Sequence, residues 1–386
     1  MSGRPILIVA GEKSGENYGA AVVRAFLRLD PKATFFGVGG TGMKDAGVEI
    51  LVPMEDLALM GLAEVVKEIP RIKRILNRLA GEARSRKPAA AVLIDSPDFN
   101  LRLAKRLTKA GIPVLYYISP TVWAWRKGRL KTIREVVRKM LLIFPFEKSL
   151  YAEAGIPYAF VGHPLLERLR IRKTRSEFFR EYGLDPGRPL ITLLPGSRKS
   201  EIHRHLPVLR EAAERLEKDR RAQFVLIETE DLDRRFVPDL LEGTEAVIRR
   251  LRTDAYEAMA ASDLVLSACG TANLEAALLG APLVAFYKIS PLTYTIGKPF
   301  VRIRDYSIVN ILAGRRLIPE LIQGKMTPDA LVREAERVLD DADIRLEMKT
   351  VFGAIRKSLG DEPASENVAR ELAALIERKN LSPNQR

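Results

Sequence analysis

Short apolar runs alternate with amphipathic patterns of helical period along almost the whole chain. The runs PILIVAG, TFFGVGG, AAVLIDSP, PVLYYIS, MLLIFPF and YAFVGHP lie in the first half, and PLITLLPG, QFVLIET, AVIRR, DLVLSAC and PLVAFYK in the second. Between them NYGAAVVRAFLRL, LPVLREAAERLEKD and TANLEAALLG space their apolar residues as helices with one buried face do. Strands that are apolar throughout, joined by helices, belong to parallel sheets covered on both faces. There are too many for one open sheet of common size, and the series restarts at Leu190 after the basic, strandless stretch 165–188. The pattern predicts two doubly wound, Rossmann-like α/β domains, residues 1–164 and 165–350, facing across a cleft lined by the carboxyl ends of both sheets.

Composition narrows the setting. With 386 residues and 47% hydrophobic content, the chain can bury two ordinary cores. A single cysteine, Cys269, excludes an intramolecular disulfide and points to a reducing compartment. The opening apolar run fits a first strand better than a signal peptide. No stretch approaches the ~18 uninterrupted apolar residues of a spanning helix, so a cytosolic or peripheral protein is expected. The net charge of +14 asks for an anionic partner: nucleic acid, an anionic membrane surface or phosphorylated substrates.

The sharpest chemical signal is LLPGSRKSEIHRHLP at 193–207. A strand runs into a glycine turn at Gly196 and Ser197, then into Arg198 and Lys199, and a helix begins near Ser200–Glu201. Backbone N–H groups at a helix start, with cations beside them, make an anion cradle. A second turn, SACGTANLEAALLGAP, ends a strand at Cys269. Gly270 permits a sharp bend, Thr271 can cap the next helix, and that helix carries Glu275. Glu275 is read either as a residue favoured near a helix N-terminus or as an acceptor for sugar or ribose hydroxyls. The cradle upstream favours the second reading. In VLIDSPDFN, Asp95 and Asp98 follow a strand, where a carboxylate can take a proton from a hydroxyl nucleophile. Asp98 is also placed to cap the helix that follows, which would leave Asp95 as the better base.

Weaker signals are read the ordinary way. Gly37, Gly39 and Gly42 have the spacing G-x-G-x-x-G, but they follow the second strand, and no acidic residue ends a strand ~20 residues later. A glycine loop at the cleft is expected rather than a dinucleotide site. Asp231 and Asp233 form a lone D-x-D, and His203 and His205 are poorly spaced for one helix face. No metal site is expected. In GLAEVVKEIPRIKRILNRL the apolar stripe Val65, Val66, Ile69, Ile72 and Leu76 lies beside Arg71 and Arg74, and SPTVWAWRKGRLK adds Trp123, Trp125, Arg126 and Lys127. Each alone reads as an ordinary core-facing helix. Together they also fit a cationic amphipathic face for lipid. Nucleic acid fits less well, because no recognised binding motif accompanies the charge.

Taken in order, AGEKSGENYGA, GVGGTGMKDAGVE, MGLAEV, IDSPDFNLRLAK, YYISPTVWAWRKGR, FPFEKSLYAEAGIPYAFVGHPL, LLPGSRKSEI, CGTANLEAALLGAP and YSIVNILAGRRLIPELIQ resemble the lipid-A-disaccharide synthases, inverting glycosyltransferases of the GT-B fold. The likeness runs from about residue 5 to 340, with Lys13 and Glu16 departing from the pattern of the first loop. It implies transfer of 2,3-diacylglucosamine from its UDP donor to 2,3-diacylglucosamine 1-phosphate (lipid X), releasing UDP, on the cytoplasmic face of the inner membrane of a Gram-negative bacterium. It further implies that Gly196, Ser197, Arg198, Glu201, Gly270 and Thr271 hold the donor, with Arg198 stabilising the leaving diphosphate, Glu275 on the ribose and Asn310 as a polar contact across the cleft. Asp95 or Asp98 would be the base. Gly11, Ser14, Gly15, Gly39 and Gly40 would form cleft loops, and no cofactor would be needed. GT-B enzymes commonly return a C-terminal helix to the first domain, here about residues 363–386. The rival reading is another UDP-sugar enzyme of the same fold, an N-acetylglucosamine transferase or 2-epimerase with a soluble substrate.

Overall fold

A computed structural model describes residues 5–57, 65–124, 126–229, 232–297 and 303–381. The chain divides into two compact units, Met1–Pro164 with Leu359–Arg386, and Leu165–Ser358.

The first unit is built on seven strands: β1 (Pro5–Ala10), β2 (Thr34–Gly39), β3 (Val48–Pro53), β4 (Ala91–Ile94), β5 (Val114–Tyr117), β6 (Lys139–Leu142) and β7 (Tyr158–Phe160). They lie in the order β3-β2-β1-β4-β5-β6-β7, all parallel. β1 shows why the central strands are apolar. Leu7 and Val9 enter one core while Ile6, Ile8 and Ala10 enter the other, on the opposite face. β3 escaped the sequence reading because it is an edge strand with its charge on show: Glu49 pairs with Arg86. The helix Ala364–Leu381 belongs to this unit, burying Val368, Ala369 and Leu372 in the same core as Val22, Val23 and Phe26.

The second unit repeats the scheme with β8 (Leu190–Leu194), β9 (Gln223–Ile227), β10 (Ile248–Leu251), β11 (Leu264–Ala268), β12 (Leu283–Tyr287) and β13 (Glu320–Ile322). The order is β10-β9-β8-β11-β12-β13, again all parallel. β13 is too short to announce itself. The unit runs to Ser358 rather than 350 because the helix Ala342–Ser358 buries Met348, Phe352 and Ile355. In each sheet the order reverses once, between β1 and β4 and between β8 and β11. Loops leave in opposite directions there and open a crevice for ligand at the carboxyl ends.

The helix Val65–Arg86 corrects one expectation. Leu76, placed in the lipid-facing stripe from the sequence, is 3% exposed and packs in the core with Leu79 and Ala83. Ile72 packs partly against the same core. Ile69 remains 49% exposed, and the side chains of Val65 and Val66 lie outside the described residues. The stripe is thus core at its C-terminal end, and serine at all five positions would unfold the unit rather than merely release it from vesicles. Leu76→Ser alone is expected to cost ~2–5 kcal/mol, read as a fall in the urea midpoint. Ile69→Ser should stay within ~0.5 kcal/mol of the parent. Equal losses from the two would return Ile69 to the core.

Candidate active site

In the second unit the loop Pro195–Arg198 joins β8 to the helix Lys199–Arg220. Gly196 has φ +119, and a Cβ there would stand 2.7 Å from Glu201 Oε2, so only glycine fits. Glu201 turns inward. Its carboxylate accepts hydrogen bonds from the N–H groups of Ser197 (3.2 Å) and Arg198 (3.3 Å), the Arg198 guanidinium (2.9 Å) and the Tyr287 hydroxyl (3.0 Å). Burial pushes this carboxyl up, but the bonds from Tyr287 and Arg198 and the charge of Arg198 hold it below the usual range. Glu201 is therefore the support of the loop, not a surface for a donor as the sequence reading had it. The donors turned outward are the Arg198 side chain, 74% exposed, and the exposed helix start at Lys199 and Ser200.

His205 locks this loop in place. Fully buried, it bonds the Pro195 carbonyl through Nδ1 (2.6 Å) and accepts at Nε2 from the Lys288 N–H (2.9 Å), just past β12. The Nδ1–H tautomer satisfies both bonds. Burial lowers its pKa, so the ring stays neutral. The sequence showed His205 only as a poor metal ligand. Its partner lies 83 residues away, where no local pattern points.

The helix Thr271–Leu278 starts beside this loop, at the end of β11. Gly270, not Thr271, takes the cap position, and Thr271 is the exposed first helical residue. Glu275 sits in the second turn, too far along to favour the helix start. It accepts from the Tyr256 hydroxyl at 3.3 Å, and burial raises its pKa against the nearby charge of Arg168. Asn273 clamps the strand end, donating to Ser267 Oγ (2.8 Å) and the Ala268 carbonyl (3.1 Å). Burial raises the Cys269 thiol's pKa, which disfavours the thiolate. Asn310 is corrected too. It is fully buried, receives the N–H groups of Leu317 (2.8 Å) and Ile318 (2.9 Å), and donates to Glu320 (2.8 Å). Such a side chain staples a loop and offers nothing to a ligand.

The first unit carries its own group at the ends of β1 and β4. Asp95 and Ser96 both adopt left-handed backbone, with φ of +48 and +42, a costly conformation held only where the surroundings over-determine it. The Asp95 carbonyl accepts from Asn100 Nδ2 (2.8 Å) and the Tyr116 hydroxyl (2.6 Å). Asn100 thus clamps β4 as Asn273 clamps β11. Gly11 lets the two loops meet, since a Cβ there would stand 2.7 Å from Ser96 Oγ. Burial pushes the Asp95 carboxyl up to about 6, helped by the charge of Glu12 and opposed by the Ser96 N–H.

Asp98 is not the cap of its helix. The cap position is Ser96, and Asp98 lies in the first turn of Pro97–Lys109. Its side chain is 65% exposed, and both Arg126 (3.1 Å) and Arg129 bond the same oxygen, Oδ1. Oδ2 is left without a hydrogen bond among the described residues.

The glycine loops serve packing. A Cβ on Gly37 would lie 1.9 Å from the Ile8 carbonyl, one on Gly39 would meet Met43 Sδ at 2.6 Å, and one on Gly40 would meet Glu16 Oε1 at 2.6 Å. Buried Glu16 accepts the Gly42 N–H at 2.7 Å, so the residue that departs from the family pattern fastens the first loop to the second. Gly15 packs on Ile94, while Ser14 is exposed. Trp123 is half-buried in an aromatic row: its ring meets Phe146 edge-on at 5.4 Å, Phe146 stacks on Phe144 at 5.4 Å, and Phe144 meets His163 at 5.1 Å. It is no free interfacial anchor. Trp125 lies outside the described residues. Under the row, buried Glu147 is pushed up to about 8 by desolvation, against hydrogen bonds from Ser119 and the Phe144 N–H.

Among the described residues, no three or more His, Cys, Asp and Glu side chains are grouped to hold a metal ion. Asp233 bonds the Arg235 N–H at 2.9 Å, and Asp231 lies outside the described residues. Also among them, no helix is long and apolar enough to cross a membrane.

Comparison with known proteins gives a consistent result. The family described as Lipid-A-disaccharide synthetase matches residues 6–374. A lipid-A-disaccharide synthase of Geobacter sulfurreducens is 43% identical, with 94% of this chain and 95% of that protein covered. Another, of Anaeromyxobacter dehalogenans, is 45% identical, with 96% and 97% covered. Among solved structures, a putative UDP-N-acetylglucosamine 2-epimerase from Listeria monocytogenes has a TM-score of 0.67 at 13% identity, with 100% of this chain and 99% of that one covered. MurG of Acinetobacter baumannii has 0.56 at 15% identity, with 97% and 99% covered. At such identities the structures speak for the fold alone.

Proposed function

This chain belongs to the lipid-A-disaccharide synthase family and is a GT-B glycosyltransferase of lipid A biosynthesis, and we propose that it joins UDP-2,3-diacylglucosamine to lipid X through a β-1,6 bond. The observation that carries this reading is a family match spanning both units, at 41–45% identity among full-length relatives. An epimerase shares the fold but not that match.

The donor's diphosphate lies against Arg198 and the helix start at Lys199–Ser200, with Gly196 and Ser197 shaping the turn. As the bond to the anomeric carbon breaks, negative charge grows on the diphosphate. The exposed Arg198 guanidinium and the helix N-terminus stabilise that charge. Glu275 holds the ribose hydroxyls, close to Gly270 and Thr271. In the first unit, Asp98 or Asp95 takes the proton of the acceptor's 6-hydroxyl as its oxygen attacks the anomeric carbon. One displacement inverts the configuration, and no protein nucleophile is needed. The product is a disaccharide 1-phosphate, and UDP leaves.

Both substrates carry acyl chains, so the enzyme works at a membrane surface. We place it on the cytoplasmic face of the inner membrane, with Ile69 and the cations near it toward lipid. Pure protein given both substrates should yield the disaccharide 1-phosphate by mass spectrometry. No disaccharide, together with interconversion of soluble UDP-N-acetylglucosamine, would establish the epimerase instead. Because Arg198 and the helix start offset the charge on the leaving group, turnover should survive dialysis against EDTA. Loss of turnover that Mg²⁺ or Mn²⁺ restores would bring Asp231 and Asp233 back into consideration.

A further inference from the structure

We propose that Arg126 recognises the acceptor's 1-phosphate and thereby seats its 6-hydroxyl on Asp98. This deepens the reaction proposed above and rests on it.

The two substrates of that reaction carry the same diacylated sugar. They differ at C1, which bears a phosphomonoester in the acceptor and UDP in the donor. A site that takes the acceptor must therefore read a phosphomonoester. In a pyranose, C1 and the C5 that bears C6 flank the ring oxygen. The 1-phosphate and the 6-hydroxyl thus share one edge of the sugar, and the cation for the phosphate belongs next to the base.

Two guanidiniums stand there, Arg126 and Arg129, both bonded to Asp98 Oδ1. Their surroundings separate them. Arg129 opens the helix Arg129–Val136 and is only 14% exposed, so it is the inner brace of Asp98. Arg126 is 50% exposed, and its bond to Asp98 is 3.1 Å long. That bond engages Nη1, one arm of a planar fork that can bond two anions at once. One guanidinium can thus touch the base and a phosphate oxygen together and fix the spacing between them. The exposed Lys127 follows it in the chain and adds charge.

Folding alone does not account for Arg126. An ion pair between exposed groups adds little stability, and Arg129 already holds the same oxygen. The backbone is strained here as well. Arg126 has φ +53, left-handed like Asp95 and Ser96 before Asp98, and the Arg129 N–H closes its turn on the Arg126 carbonyl at 2.9 Å. Such conformations persist where the surroundings over-determine them, and they gather at ligand clamps.

The test offers the full chain two dihexanoyl acceptors, one with the 1-phosphate and one with a free 1-hydroxyl. Calorimetry gives their binding, and disaccharide formation from the UDP donor gives kcat/KM. The parent should prefer the phosphorylated acceptor by at least ~30-fold in both. In Arg126→Gln that preference should shrink ~10-fold or more, while KM for the donor stays unchanged. Arg126→Lys, which keeps the charge but not the fork, should fall between, and it is scored in place of Arg126→Gln if that variant fails to fold. Arg134→Gln, at an exposed cation further along the same helix, should leave the preference intact. Equal losses with both acceptors would make Arg126 only a brace of Asp98 and overturn the proposal. So would dihexanoyl-phosphatidic acid, a phosphomonoester without the sugar, binding through Arg126 as tightly as the acceptor. If the parent shows the preference, loses it in Arg126→Gln, and yet makes no disaccharide, the phosphate site stands and the proposed reaction falls.

Discussion

Arg198→Ala should lower turnover by ~100-fold or more, the usual cost of losing one donor aimed at charge that develops in the transition state. The loss should fall mainly on kcat, because the charge on the diphosphate is greatest as the sugar departs. The loop's own N–H groups cannot compensate. Those of Ser197 and Arg198 are already bonded to Glu201, so the guanidinium is the principal donor turned outward from this turn. The fold should suffer little, since the Arg198 side chain is 74% exposed and buried Glu201 keeps the hydrogen bonds of Tyr287 and of the Ser197 and Arg198 N–H groups. An unchanged melting temperature with turnover within a few-fold of the parent would remove Arg198 from the mechanism.

Asp98→Asn should cost ~100- to 10,000-fold in kcat, the range for loss of a positioned base. We propose Asp98 rather than Asp95 as the base. Asp98 is the exposed one, and Arg126 and Arg129 grip Oδ1 and leave Oδ2 to receive a proton. Asp95 lies deeper and is better placed to set the pH response. Its carboxyl titrates near about 6, so kcat/KM should fall as the pH drops through that value and the site loses a negative charge. Asp95→Asn should flatten this acid limb and cost less turnover than Asp98→Asn. The sign for stability follows. A carboxyl raised on folding favours the fold below its unfolded pKa, and that contribution is lost as the pH rises through about 6. Asp95→Asn should therefore melt no lower than the parent above pH ~6. If Asp95→Asn proves the more damaging to kcat, the base is Asp95.

The two sheets were legible because burial on both faces leaves strands few polar positions: none in β1 and β4, only Thr192 in β8 and only Ser267 in β11. The turns at Gly196 and Gly270 were legible because a glycine between a strand and a helix is a local signal. Edge strands β3 and β13 were not. One carries charge at the margin and the other spans only three residues. What the sequence left undetermined was the direction of polar side chains. Glu201, Asn310 and Leu76 stood in plausible functional patterns, yet Glu201 supports a loop, Asn310 staples one and Leu76 is core. Asn100, Asn273 and His205 stood in no pattern, yet they fix both candidate sites. A strand or helix follows from periodic burial within its own segment. Where a polar group points depends on partners that only the packed chain brings within hydrogen-bond reach, as Glu201 finds Tyr287 and His205 finds Lys288.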